Sequence, residues 1–129
     1  REGSMLEVEL TGRAALPQAM VGQTLLLLGD SYQLRGRYMS DRMRSKQGLA
    51  WVLRCGNGGN RWAQTGDLLE TQRQWQNFEL KFKVPEECNG VVRLNLEASA
   101  PWEARAGISG IMYFDDFELT AINMASVND

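Results

Sequence analysis

The sequence predicts an all-β fold, an antiparallel sandwich of two packed sheets, on three observations. Apolar and polar residues alternate in short runs along nearly the whole chain, the period of a strand with one buried face. Glycine, asparagine and proline punctuate those runs where turns are needed. Amphipathic stretches of about ten to fifteen residues, which would connect parallel strands, do not separate them.

The elements follow in order. Leu6, Val8 and Leu10 alternate with Glu7, Glu9 and Thr11, and Thr24-Leu25-Leu26-Leu27-Leu28 is an apolar run of strand length. Gly29-Asp30 turns the chain, after which Tyr32, Leu34, Gly36 and Tyr38 alternate with Gln33, Arg35, Arg37 and Met39. Leu49, Trp51, Leu53 and Cys55 alternate with Ala50, Val52 and Arg54. A glycine-asparagine stretch, Gly56-Asn57-Gly58-Gly59-Asn60, reads as the most flexible loop, opening a long connection to Asp67. Phe78, Leu80, Phe82 and Val84 then alternate with Asn77, Glu79, Lys81 and Lys83, and Pro85 ends that strand. Val92, Leu94, Leu96 and Ala98 define the next strand, and a last one spans about residues 108–122. Short helical turns are expected at residues 41–47 and 16–20. The expected core is Tyr32, Leu34, Trp51, Leu53, Phe78, Leu80, Phe82, Leu94, Leu96, Phe117 and Leu119.

At 129 residues the chain fits one domain, read here as residues 6–129, with residues 1–5 taken as an expression-tag remnant. A formal charge of −2 argues against nucleic acid, which calls for a basic face. No apolar run approaches the length of a membrane span. The chain has no histidine. That excludes histidine-paired serine and cysteine nucleophiles and histidine-ligated metal centres. Two cysteines cannot form a four-thiolate site. Cys55 and Cys88 instead sit at strand ends, which suggests one disulfide and hence an exported protein, extracellular or periplasmic. The alternative is two buried thiols packing as small hydrophobes.

The last strand carries the densest information. In Gly110-Ile111-Met112-Tyr113-Phe114-Asp115-Asp116-Phe117-Glu118-Leu119, strict alternation puts Tyr113, Asp115, Phe117 and Leu119 on the core face. A carboxylate there needs an arginine, backbone N–H groups or a metal beside it. This strand, together with the order Tyr32-Gln33-Leu34-Arg35-Gly36-Arg37, Gly48-Leu49-Ala50-Trp51-Val52-Leu53-Arg54-Cys55 and Trp75-Gln76-Asn77-Phe78, resembles the carbohydrate-binding-module-like jelly rolls of the galactose-binding-domain-like superfamily. The resemblance covers about residues 6–122. It implies a jelly-roll sandwich serving as a sugar-binding accessory domain of a larger exported or envelope-associated bacterial protein. It also implies a structural calcium at Asp115, with Glu7 or Glu9 from the first strand, as one reading beside an arginine or backbone partner.

Saccharide binding calls for exposed indoles that stack on sugar rings, with amides and charged groups around them. Trp51 and Trp75 read as packing. Trp62 and Trp102 lie in expected loops and, with Arg54, Asn57 and Asn60, form the expected site for a saccharide or polysaccharide. A polar row of Arg35, Arg37, Arg54, Arg93 and Asn95 is a second candidate if their strands adjoin. The expected function is non-catalytic carbohydrate binding by a monomeric domain that does not span a membrane. The alternative is a structural or protein-interaction domain without sugar binding. A glycoside hydrolase would need two carboxylates facing one cleft, and Glu70, Glu97 and Glu103 are the available residues.

Overall fold

The structure, a computed structural model, describes residues 5–11 and 21–123. Its strands are β1 (Leu6–Thr11), β2 (Val21–Leu26), β3 (Ser31–Arg44), β4 (Leu49–Cys55), β5 (Gly58–Gln64), β6 (Gln76–Lys83), β7 (Val91–Ala98) and β8 (Ser109–Ala121). A 3-10 turn, Glu86–Cys88, joins β6 to β7, and a short helix, α1 (Pro101–Ala106), joins β7 to β8. One sheet runs β1-β8-β3-β6 and the other β2-β7-β4-β5. Every pairing of neighbours is antiparallel. This is the expected jelly-roll sandwich.

The inner faces follow the sequence alternation. Leu34 and Tyr38 of β3, Leu49, Trp51 and Leu53 of β4, Phe78 and Phe82 of β6, and Val92, Leu94 and Leu96 of β7 are all buried in one cluster. Tyr32, Leu80 and Leu119 pack against it with part of their surface exposed. Val8, Leu10, Ile108, Met112 and Phe114 join the core as well. Phe117 departs from the expected list: it is 42% exposed.

A β-bulge resets the faces of β8. Arg37 pairs with Asp115 and Arg35 with Glu118, so β8 advances one residue more than β3 across this step. Asp116 absorbs the extra residue at φ 57°, a left-handed conformation that aspartate tolerates better than most residues. Inward positions on β8 are therefore Met112 and Phe114 before the bulge, and Phe117 and Leu119 after it. Tyr113 and Asp115, expected on the core face, point outward. A second shift compensates. Between Asp41 and Arg44 the extra residue lies on β3, with Arg42 at φ 56°, and Met43 returns to the core.

Other expectations change too. Residues 41–44 continue β3 instead of forming a helical turn. The glycine-asparagine stretch opens a hairpin, and Gly58–Gln64 pairs with β4 as a strand. The turn expected at residues 16–20 lies outside the described residues. Cys55 and Cys88 are joined, with Cα atoms 4.8 Å apart, tying the end of β4 to the 3-10 turn. Closing a loop of this length stabilises the fold by about 3–4 kcal/mol in the chain-entropy picture.

Candidate functional site

The expected saccharide site does not assemble. Trp62 lies on β5 and turns inward, its ring centroid 5.8 Å from that of Phe82, so it closes the core between the sheet edges. Trp102 is half exposed on α1, at the end of the sandwich where β7 leaves toward β8. Asn57 and Asn60 are exposed around the β4–β5 turn, at the disulfide end. Arg54 is committed elsewhere. The two indoles differ in the signal that misled: a tryptophan after a glycine-rich loop opened a strand that lacks the usual alternation.

The expected polar row divides between the two sheets. On the outer face of β2-β7-β4-β5, Arg54 donates to Glu97 through Nε (2.9 Å) and Nη2 (2.8 Å), and Arg61 reaches the same carboxylate at 3.3 Å. Asn95 Nδ2 donates to Glu97 at 3.0 Å, and Arg93 donates to Asn95 Oδ1 and to Thr24 Oγ1. Glu97 is only 3% exposed. Burial pushes its carboxyl up, but hydrogen bonds from Arg54 and Asn95 and the charges of Arg54 and Arg61 hold it below the ordinary glutamate value. A buried, mutually satisfied network of this kind supports the sheet and has little free capacity for a ligand.

The three carboxylates considered for catalysis are each occupied in a different place. Glu70 accepts from Met43 N at 2.7 Å, Gln72 N at 2.6 Å and Ser40 Oγ at 3.2 Å. Glu103 accepts from Ser45 Oγ, Lys46 N and Gln47 N, which fixes the β3–β4 loop onto α1. Glu97 belongs to the arginine network.

The outer face of β1-β8-β3-β6 is different. Register places its groups in rungs: Asn77, Arg37 and Asp115 across β6, β3 and β8, then Glu79, Arg35 and Glu118. Arg37 lies 3.6 Å from Asp115 and 2.8 Å from Asp116, with its guanidinium 4.7 Å above the Trp75 ring. Arg35 donates to Glu118 at 2.6 Å. Asp115 Oδ1 accepts the Asp116 N–H at 2.9 Å, so the side chain also braces the bulge. Arg37 is therefore the cation beside Asp115.

Glu7 faces outward opposite Tyr113, two residues from Asp115 along β8. Two carboxylates sharing a guanidinium do not supply the six to eight oxygen ligands calcium takes. Among the described residues no three His, Cys, Asp or Glu side chains gather as metal ligands. The residues present do not fit the calcium expected at Asp115 and Glu7.

A depression of about 540 Å³ opens on this face among Arg35, Arg37, Asn77, Glu79 and Asp116. Gly36 lies at its floor, where a Cβ would point inward to 2.7 Å from the Phe78 ring. Phe117 borders it from the core side, its ring turned inward against Trp51, Phe78 and Phe114 at centroid distances of 5.2, 5.7 and 6.0 Å. Sequence reasoning missed this site because it depends on which strands adjoin. The Asp-Asp pair, a tolerant host for a left-handed residue, was the available signal.

No protein-family model matches the sequence, and no curated protein is significantly similar to it. Among solved structures, the chain resembles one described as "CBM4 structure and function", with 17% identity over 95% of this chain and 73% of that one, at a TM-score of 0.68. It also resembles one described as "EclA C-terminal domain; sugar-binding protein", with 14% identity over 93% and 79%, at a TM-score of 0.57. The fold is that of the carbohydrate-binding-module-like β-sandwiches.

Proposed function

We propose that this domain binds saccharide without catalysing its breakdown, through the outer face of the β1-β8-β3-β6 sheet. The observation that carries the reading is the depression over Gly36. It gathers arginine, carboxylate and amide groups that remain open to solvent. Sugar hydroxyls exchange hydrogen bonds with such planar donors and acceptors. The depression holds more carboxylates (Glu79, Asp116, Glu118) than arginines (Arg35, Arg37), so it favours neutral or amino sugars over acidic ones. The fold it shares with carbohydrate-binding modules supports the same reading.

The disulfide supports a location outside the cytoplasm, extracellular or periplasmic, as part of a larger exported or envelope protein. A protein-interaction role is the second reading. Leu26 pairs with Val91 across β2 and β7, and together with Leu28 they leave apolar surface exposed at the disulfide end. Affinity electrophoresis against neutral, amino and acidic polysaccharides separates the two. Retardation that Asp116→Lys abolishes and Leu28→Ser leaves intact is the saccharide result. No retardation by any polysaccharide removes it.

A further inference from the structure

Among the described residues, β1 pairs with β8 only from Thr11 opposite Ser109 to Leu6 opposite Phe114. β8 runs on to Ala121, held on its other side by β3. From Phe117 to Ala121 it is therefore an edge strand. The Ile122 N–H donates to Ser31 O at 3.0 Å, toward β3. Ladder groups alternate sides along an antiparallel strand, so those of Leu119 and Ala121 point the other way, to the open edge. Such groups are a template for another strand.

Inside this edge the two sheets stand apart. A slot of about 450 Å³ lies between β8 and β2, walled by Leu6, Leu25, Leu34, Trp51, Leu94 and Leu119. That volume falls in the range of about 300–1,000 Å³ usual for binding pockets. Phe117 also lines the slot. Its ring is turned inward against Trp51, yet 42% of its surface is exposed. Leu6, Leu25 and Leu119 pack against the core but are likewise only partly buried.

We infer that this edge takes up an extended polypeptide segment of a partner. The segment adds a strand beside residues 117–121 of β8, in line with β1, and lowers alternate apolar side chains into the slot. Two independent observations select that occupant. The ladder groups of Leu119 and Ala121 match the N–H and C=O spacing of a peptide backbone, and the slot takes apolar side chains at every second residue, the period of one strand face. On the outer face the incoming strand meets Glu118, whose side chain is 49% exposed, so its outward residues are polar or basic. The site lies inside the sheet edge, apart from the outer depression, and does not depend on the saccharide reading.

The test is titration of the whole chain, followed by backbone amide resonances and hydrogen exchange. The probe is a short acetylated and amidated peptide alternating valine and threonine between terminal lysines. One control has the same composition with the valines grouped. The other is N-methylated on the valines, whose N–H groups would face β8. Exchange at Leu119 and Ala121 should slow about tenfold or more with the probe, and both controls should bind at least about tenfold more weakly. Ala121→Pro removes a donor from the open edge and none from the β3 ladder, so it should keep the fold and weaken peptide binding about tenfold. Leu25→Trp, which fills the slot from β2, should weaken it as much and serves if the proline variant does not fold. No binding of the alternating peptide, or equal binding of either control, would overturn the inference. Amides of Leu119 and Ala121 already protected in the free chain would overturn it too, because the chain itself would then cover the edge.

Discussion

Single residues on β8 set the properties of the proposed site. Asp115 is 12% exposed at its side chain and Asp116 41%, yet both face Arg37. Asp115 also accepts the N–H of the bulge residue. Replacing Asp115 by alanine should therefore cost about 1–3 kcal/mol in denaturant melts. Asp116→Gly should stay within about 1 kcal/mol of wild type, because glycine adopts the left-handed backbone without strain. The opposite order would mean that the bulge is held by something other than the Asp115 carboxylate. The tryptophans allow a similar comparison. Trp62→Ala should destabilise on the order of 2–3 kcal/mol, since part of a packed ring is lost. Trp102→Ala, half exposed, should change neither stability nor saccharide binding. Addition of a calcium chelator should leave the thermal midpoint where it is, since Arg37 already neutralises Asp115.

At the scale of elements, buried polar groups tie together parts of the chain that strand pairing alone does not hold. Glu97 links β7 to β4 and β5 through Arg54 and Arg61, and Glu103 fastens the β3–β4 loop to α1. For both carboxyls burial pushes the pKa up, and the donors around them bring it below the ordinary 4.5. The stability they contribute is complete above pH 4.5 and is lost as pH falls from there through the lowered values. Urea melts from about pH 6 to about pH 3 should show that loss, and Glu97→Gln should flatten it. Glu97→Ala removes the buried carboxylate that Arg54 and Arg61 share and should cost about 3–5 kcal/mol. Reducing the Cys55–Cys88 bond should cost about 3–4 kcal/mol on its own.

These elements also show what could be read from the chain and what could not. The faces of β4, β6 and β7, and of β3 as far as Ser40, were legible because each keeps a strict period of two over its inward residues. The face of β8 was legible only after the bulge. Before it, Tyr113 and Asp115 have the right spacing for the wrong side, and one left-handed residue reverses them. β5 was hidden because glycines and asparagines dominate its first half, and its pairing with β4 supplies the strand conformation that its own residues do not prefer. The cysteine pairing was legible from position at strand ends. The proposed saccharide site was not, because a pocket between rungs depends on which strands adjoin. Sequence order alone does not reveal that β3 lies between β8 and β6.

Considered whole, the molecule presents two broad faces with different duties. The outer face of β2-β7-β4-β5 spends its polar groups on one another around Glu97. The outer face of β1-β8-β3-β6 keeps arginines, carboxylates and an amide accessible, while the ring of Phe117 turns inward against Trp51. The central claim is that this second face binds sugar. The most direct measurement is isothermal titration of wild type and Arg35→Ala with a retained neutral oligosaccharide, with Trp102→Ala as the control. The exposed Arg35 guanidinium lines the depression and pairs with Glu118, so its loss removes donors to sugar hydroxyls without opening the core. The account expects wild type and Trp102→Ala to bind equally and Arg35→Ala to lose about tenfold or more, equivalent to about 1.4 kcal/mol, with its fold intact. Undiminished binding by Arg35→Ala, or binding lost in Trp102→Ala instead, would contradict it.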